Sequence, residues 1–273
     1  MDSRKVIYYS DELNDEFSTA VIEPRSIDEN YIYVHKTWFK RFTHFFWYRI
    51  VATPIAYAYV RLTFGHRVRG RRKLKRHLRD GYPEGYYLYG NHTQDIADAF
   101  IPSMTCFPGT VYVIVHPNNV SMPVLGKITP SLGALPIPDG MKAYKNFLEA
   151  VDTRIAEGNV VTIYPEAHIW PYYTRIRNFP DTSFTYPAKS GTPVYCFTNT
   201  YHKRKLFAHP RIVTYVDGPF YPDMEKPLKV RRKELRDKVY RCMVRRSKCS
   251  DHEQIRYIKQ STTPQNMESE NNR

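Results

Sequence analysis

Cysteine is scarce: Cys106, Cys196, Cys242 and Cys249 are the only four in 273 residues, and no two form a Cys-x-x-Cys pair. No histidine cluster stands near them at ligand spacing, so a structural zinc site is excluded. Cys106 and Cys196 fall in apolar runs, where a buried free thiol is the ordinary state, and a reducing compartment follows. Apolar runs are short as well, and none reaches the roughly 18 residues that a spanning helix requires. The opening MDSRKVIYYSDELNDEF is acidic and polar, unlike a secretory leader. There is no internal repeat. Acid is missing altogether from Arg61 to Arg79, RLTFGHRVRGRRKLKRHLR.

The chain is rich in cations and aromatic rings. The formal net charge is +14, and 23 tyrosines bring the aromatic fraction to 15%. A field of that sign draws polyanions: nucleic acid, an anionic membrane surface or phosphorylated substrates. Residues Trp38 to Gly65 pack aromatics together with Lys40, Arg41, Arg49 and Arg61. Arg49 interrupts the run, and Pro54 is expected to kink or end a helix. Trp, Tyr and basic residues together suit a helix or helical hairpin in the headgroup region of a bilayer. The simpler alternative is an amphipathic helix packed on the domain. The basic run after it is either a solvated face or a reinforcement of binding to anionic lipid.

From about residue 85 the pattern alternates. YYLYG (86–90), TVYVIV (110–115), VVTIY (160–164), PVYCFT (193–198) and IVTYV (212–216) read as strands. Between them, 142–158 carries Ala143, Phe147, Ala150, Val151 and Ile155 at helical spacing and stops at Gly158. The fold class is α/β: a mostly parallel central sheet flanked by helices, with an N-terminal interfacial helical segment. The expected organisation is an arm at 1–36, the aromatic and basic interface segment at 37–82, a catalytic-type domain at 83–258 and a disordered tail at 259–273. Residues 226–258 read as a basic helical region whose Leu235, Val239 and Cys242 mark a buried stripe.

Three segments carry chemistry. In YLYGNHTQDIADAF a strand ends at Gly90 and a helix is expected to begin at Thr93, putting His92 in the loop beyond a strand. A histidine beside a carboxylate, Asp95 or Asp98, can be fixed in one tautomer and accept a hydroxyl proton. The plainer account is that Asn91 or Thr93 caps the helix and the acids complement its dipole. In VVTIYPEAHIWPYYTRIRNF, Pro165 stops the strand and delivers Glu166 to the loop, with Arg175 and Arg177 downstream as phosphate-type donors. Alternatively Glu166 is a salt-bridge partner and the arginines are surface charges. LGALPIPDGMK, which includes Gly133 and Lys142, means by itself only a turn.

Taken in order, these segments resemble the four blocks of the glycerolipid acyltransferase family, which includes the lysophosphatidate- and phosphatidate-forming enzymes. Asn91 and His92 match its Asn-His block, Gly133 opens the counterpart of its Gly-x-x-Phe-Ile-Asp-Arg block, and Tyr164-Pro165-Glu166 matches the start of Phe-Pro-Glu-Gly-Thr-Arg. The strand around Pro193 matches the fourth block, and the resemblance covers about 85–200. It implies that His92 is a general base oriented by Asp98, with Asp95 as the alternative partner. It also implies that Glu166 positions the acceptor or supports the histidine loop. Acyl transfer would run from acyl-CoA or acyl carrier protein to the hydroxyl of a lysophosphatidate-type acceptor, at the cytoplasmic face of an anionic membrane, in phospholipid biosynthesis. No metal, bound cofactor or nucleic acid is implied. Backbone N–H groups near Gly133 or the helix start would hold the oxyanion.

The sequence departs from the family at three places. Asp98 stands one residue too far from His92, and Asp95 too near. Asp139 occupies the region of the second block's arginine, and Ala167-His168 replace Gly-Thr. Arg175, Arg177 or Lys142 would then bind the acceptor phosphate. The other classes these features leave open are a catalytically inactive lipid-binding relative and a basic nucleic-acid-binding protein, although no nucleic-acid motif is present.

Overall fold

The computed structural model describes residues 4–17, 23–35, 37–74, 85–122 and 125–260. The tail expected to be disordered lies, from residue 261, outside them, as does the end of the basic run from residue 75. In chain order the main elements are β1 (Lys5–Tyr9), α1 (Trp38–Phe45), a π-helical stretch (Phe46–Ala52), α2 (Thr53–Phe64), β2 (Arg67–Arg69) and β3 (Tyr86–Gly90). They continue with α3 (Ile101–Cys106), β4 (Val111–Val115), α4 (Asn118–Ser121), α5 (Leu125–Ile128), β5 (Ala134–Pro136), α6 (Met141–Ala156) and β6 (Val160–Ile163). The last are α7 (Thr185–Ser190), β7 (Val194–His202), β8 (Arg211–Phe220), α8 (Leu228–Ser247) and β9 (Ile255–Lys259).

Seven strands form one sheet in the order β2-β8-β7-β3-β6-β4-β5, parallel throughout except at β7–β8. The central β3 is buried along its whole length, as a strand covered on both faces must be. One face packs on α6 and α8 through Phe147, Val151, Leu235 and Val239. The other packs on α2 and α3 through Val60, Phe64, Ile101 and Met104. The chain therefore leaves β3 towards one face, into α3, and leaves β6 towards the other, into Phe179 and Phe184. The carboxyl ends of β3 and β6, where loops part in this way, are the place at which α/β sheets hold their sites.

The aromatic segment does not end at Pro54: α1, the π-helical stretch and α2 follow one another directly, with right-handed helical backbone at each junction. Pro54 stands in the first turn of α2, where its missing N–H costs nothing, and the π-helical stretch precedes it. One side is anchored: buried Tyr48 donates to Ser103 Oγ at 2.9 Å and accepts the backbone N–H of Val111 at 2.9 Å. The other side is bare. Trp38, Phe42 and Phe46 form a stacked ladder of exposed rings.

Four strands differ from the sequence expectations: β5 falls in the segment read only as a turn, and the other three belong to two long-range pairings. β1 and β9 pair in parallel as a separate two-stranded ladder, so part of the expected arm is ordered and the C-terminal helical region ends in a strand. β2 lies within the basic run and pairs with β8. Neither was legible locally because each strand's partner lies more than a hundred residues away.

Candidate active site

His92 stands two residues beyond the end of β3. Gly90 makes this exit possible, because a Cβ there would sit 2.0 Å from the Phe197 ring. The helix expected at Thr93 is absent: a turn and a short 3-10 segment (Ala97–Ala99) come first, and α3 starts at Ile101. The intervening turn absorbs the extra residue between His92 and Asp98. His92 Nδ1 lies 2.9 Å from Asp98 Oδ2, and the same oxygen accepts the N–H groups of Thr93 at 2.8 Å and Gln94 at 2.9 Å. Three donors converge on one buried oxygen, an arrangement that suits a carboxylate.

Since a carboxylate only accepts, His92 Nδ1 carries the proton and Nε2 has the lone pair. Among the described residues nothing hydrogen-bonds Nε2, and the side chain keeps 19% exposure against 1% for Asp98. Tyr164, at the end of β6, stacks on the imidazole at 4.4 Å between centroids and donates from its hydroxyl to Asp98 O at 2.6 Å. Burial, followed by the charge of Asp98, pushes the Tyr164 hydroxyl well above its ordinary range, so it stays protonated. This packing role of Tyr164 escaped the sequence reading. The signal available was its place immediately before Pro165-Glu166. Asp95, the alternative partner, is exposed and makes no hydrogen bond to His92 among the described residues. Its carboxyl is pushed up by partial burial and then by the nearby Asp98.

Glu166 has no solvent access at its side chain. Its Oε2 accepts the His92 N–H at 3.1 Å, and its Oε1 accepts the Arg177 N–H at 3.0 Å. Burial pushes its carboxyl up, opposed first by the Arg177 guanidinium 3.5 Å away. A group so enclosed does not contact an acceptor. Its work is to tie the loop after β6 to the loop after β3.

Arg177 requires a correction too. It is fully buried, donates to His168 O and Glu12 O, and lies over the Trp170 ring at 4.9 Å. Its two terminal nitrogens are directed at protein oxygens, its Nε is buried without a hydrogen-bond partner among the described residues, and this full burial removes it from the phosphate-binding set. Arg175 is exposed, over Tyr173 at 5.3 Å.

Gly133 is likewise displaced from the site. The register sets its neighbour Ala134 opposite Val113, which places Gly133 towards the amino ends of the strands and three strands away from β3. Its N–H is spent on Pro130 O at 3.2 Å, and a Cβ there would meet Val111 O at 2.4 Å, so the glycine serves close packing at φ +93. Neither expected source of oxyanion donors holds, because the N–H groups of Thr93 and Gln94 are engaged by Asp98. Asp139 is committed to Ile27, whose N–H it accepts at 3.0 Å. Lys142 is exposed in the first turn of α6, 3.6 Å from Glu29.

Ala167 has φ 63, a left-handed conformation that glycine adopts freely and alanine does not. The backbone thus keeps a glycine geometry where the resembling family has glycine. Among the described residues no group of three or more His, Cys, Asp and Glu side chains is arranged to hold a metal ion.

No protein-family model matches the chain. No curated protein matches it by sequence. Among solved structures, the chain is similar to the 1-acyl-sn-glycerophosphate (LPA) acyltransferase PlsC from Thermotoga maritima, with a TM-score of 0.52 and 16% identity over 78% of this chain and 81% of that one. At that identity the likeness establishes a shared α/β fold.

Proposed function

We propose that the chain is a membrane-surface O-acyltransferase that acylates the free hydroxyl of a lysophosphatidate-type lipid, with His92 as general base. The observation that carries this reading is the His92–Asp98 pair: one imidazole nitrogen fixed at 2.9 Å on a buried carboxylate, the other without a hydrogen-bond partner among the described residues, on a side chain that keeps 19% exposure. The fold shared with an LPA acyltransferase supports the same reading.

In this scheme His92 Nε2 takes the acceptor hydroxyl proton while that oxygen attacks the acyl thioester carbonyl carbon. Asp98 stabilises the imidazolium. The tetrahedral intermediate collapses by breaking its C–S bond, and the departing thiolate of coenzyme A or acyl carrier protein recovers the proton from His92. An acyl-enzyme is not required. Cys106, Cys196 and Cys242 are buried, and burial pushes the Cys106 thiol up to about 12, far from a nucleophilic thiolate.

The exposed ladder of Trp38, Phe42 and Phe46, with Arg41 beside it, supports seating α1 in the headgroup region of an anionic bilayer. No described helix is long and apolar enough to cross a membrane. Arg175 and Lys142, both exposed, are the cations proposed to meet the acceptor phosphate.

The test is acyl transfer in anionic vesicles, with acyl-CoA and acyl carrier protein each offered against lysophosphatidate and other lysolipids. Turnover lost in His92→Ala is expected. Turnover unchanged in that variant would overturn the site, and vesicle binding without turnover of any pair would point to a lipid-binding relative.

A further inference from the structure

The second oxygen of Asp98 is also engaged, and the group engaging it belongs to a buried chain of hydrogen bonds. Asn199 Nδ2 donates to Asp98 Oδ1 at 3.2 Å. Asn199 Oδ1 accepts the Thr214 hydroxyl at 2.7 Å, and Thr214 Oγ1 lies 2.8 Å from His66 Nε2. His66, Thr214, Asn199 and Asp98 are all nearly or fully buried, so no solvent competes for these bonds.

The direction of each bond is forced. A carboxylate cannot donate, so the amide must turn its nitrogen to Asp98 and its oxygen to Thr214. Thr214 has a single proton and gives it to Asn199. It therefore accepts from His66, which must carry hydrogen on Nε2. The main chain of Asn199 is pinned as well: its N–H donates to Asn91 Oδ1 at 2.7 Å, and its carbonyl accepts from Asn91 Nδ2 at 3.1 Å. Asn199 thus grips the residue before His92 and the acid beyond it. The antiparallel register of β7 and β8 sets Asn199 directly across from Thr214.

We propose that Asn199 is the positioning residue of the His92–Asp98 pair, and that Thr214 and His66 hold its amide in the one orientation that donates to Asp98. The role of the pair rests on the acyl-transfer reading, while the relay itself is a property of the fold. Removing the Thr214 hydroxyl leaves the amide oxygen without its donor, so the amide is no longer held in place and its bond to Asp98 Oδ1 loosens. Negative charge then concentrates on Asp98, the imidazolium of His92 is favoured, and the ring loses its fixed aim. Other titratable or charged groups around the pair are Glu166 with its partner Arg177, Tyr164, Tyr201 and Asp95, and the substitution removes none of them.

The experiment follows the histidine ring signals of the full chain by NMR through a pH titration, for the parent, Thr214→Val and Thr214→Ser. The His92 midpoint is expected to rise by about half a pH unit in Thr214→Val and to return in Thr214→Ser. Acyl transfer measured on the same proteins is expected to lose about tenfold in kcat with KM within about twofold, again restored by serine. If Thr214→Val does not fold, His66→Leu breaks the chain one link further out and is expected to move the midpoint in the same direction. A His92 midpoint that stays put in the variant that folds overturns the proposal. A midpoint that moves as expected, in proteins that transfer no acyl group, upholds the relay and removes the acyl-transfer reading.

Discussion

Asp98 Oδ2 receives His92 Nδ1 at 2.9 Å across a six-residue step that also brings the Thr93 and Gln94 N–H groups to the same oxygen. The histidine is therefore held by a carboxylate that is itself held by the loop. Asp98→Asn would keep an amide oxygen where the three donors converge, but would remove the charge that stabilises the imidazolium and set its NH2 group against Asn199 Nδ2. The expected loss in kcat is about 10²- to 10⁴-fold, with His92→Ala losing at least as much. Steady-state kinetics in vesicles checks both, and a modest loss in either would remove general-base chemistry from this site.

Burial, with Arg61 adding to it, pushes His66 down to about 4 from an ordinary value of 6.5. Between those limits the unfolded chain binds the proton that the folded chain refuses. The stability associated with neutral His66 is complete above pH 6.5 and is lost as pH falls towards 4. The amount is about 3 kcal/mol, at 1.36 kcal/mol per pH unit. Denaturant midpoints at several pH values are expected to fall more steeply below pH 6.5 for the parent than for His66→Gln. Parallel slopes in the two proteins would exclude His66 as the source.

Ala167 holds φ 63 without the freedom of glycine. Ala167→Gly is expected to raise stability by about 0.5–1 kcal/mol, the relief of a left-handed alanine less the added entropy of the unfolded chain. Urea unfolding measures it. A destabilised glycine variant would mean that the alanine methyl contributes packing worth more than the strain.

Trp38 is 77% exposed and Phe42 51% exposed on a surface with no partner from the fold among the described residues beyond their mutual stacking. Replacing both by serine is expected to weaken vesicle affinity by about tenfold or more per ring while leaving the thermal midpoint nearly unchanged. Sedimentation with anionic and neutral vesicles reads the effect. Equal binding by parent and variant would assign the segment to another surface.

Much of the framework was legible because local pattern decided it. The five strands of 86–216 and the stripe from Ala143 to Ile155 follow from short-range alternation and helical spacing, as does the burial of Leu235, Val239 and Cys242. The meeting of His92 with an acid could be anticipated from spacing, although which acid met it depended on the turn at 95–96. The fate of Arg177 was hidden. An arginine in a polar loop reads as a surface charge, and only the converging oxygens of Glu166, His168 and Glu12, with the face of Trp170, make its burial tolerable. Asn199 was missed because β7 runs five residues beyond its apolar stretch, through Thr198-Asn199-Thr200, three polar residues buried in succession. Gly133 was misread because a motif match carries no register.

The ladder of β1 and β9 packs its own Tyr9 and Tyr257 on Trp170 and Tyr173, in the loop that continues from Glu166. Its two strands lie about 250 residues apart in sequence. A ribosome adding roughly 5–20 residues per second leaves that clasp open until synthesis has passed residue 259. The nascent chain can assemble its central sheet earlier, but the loop that continues from Glu166 stays without its cover until then. That loop thereby gains its cover only in a chain translated through β9.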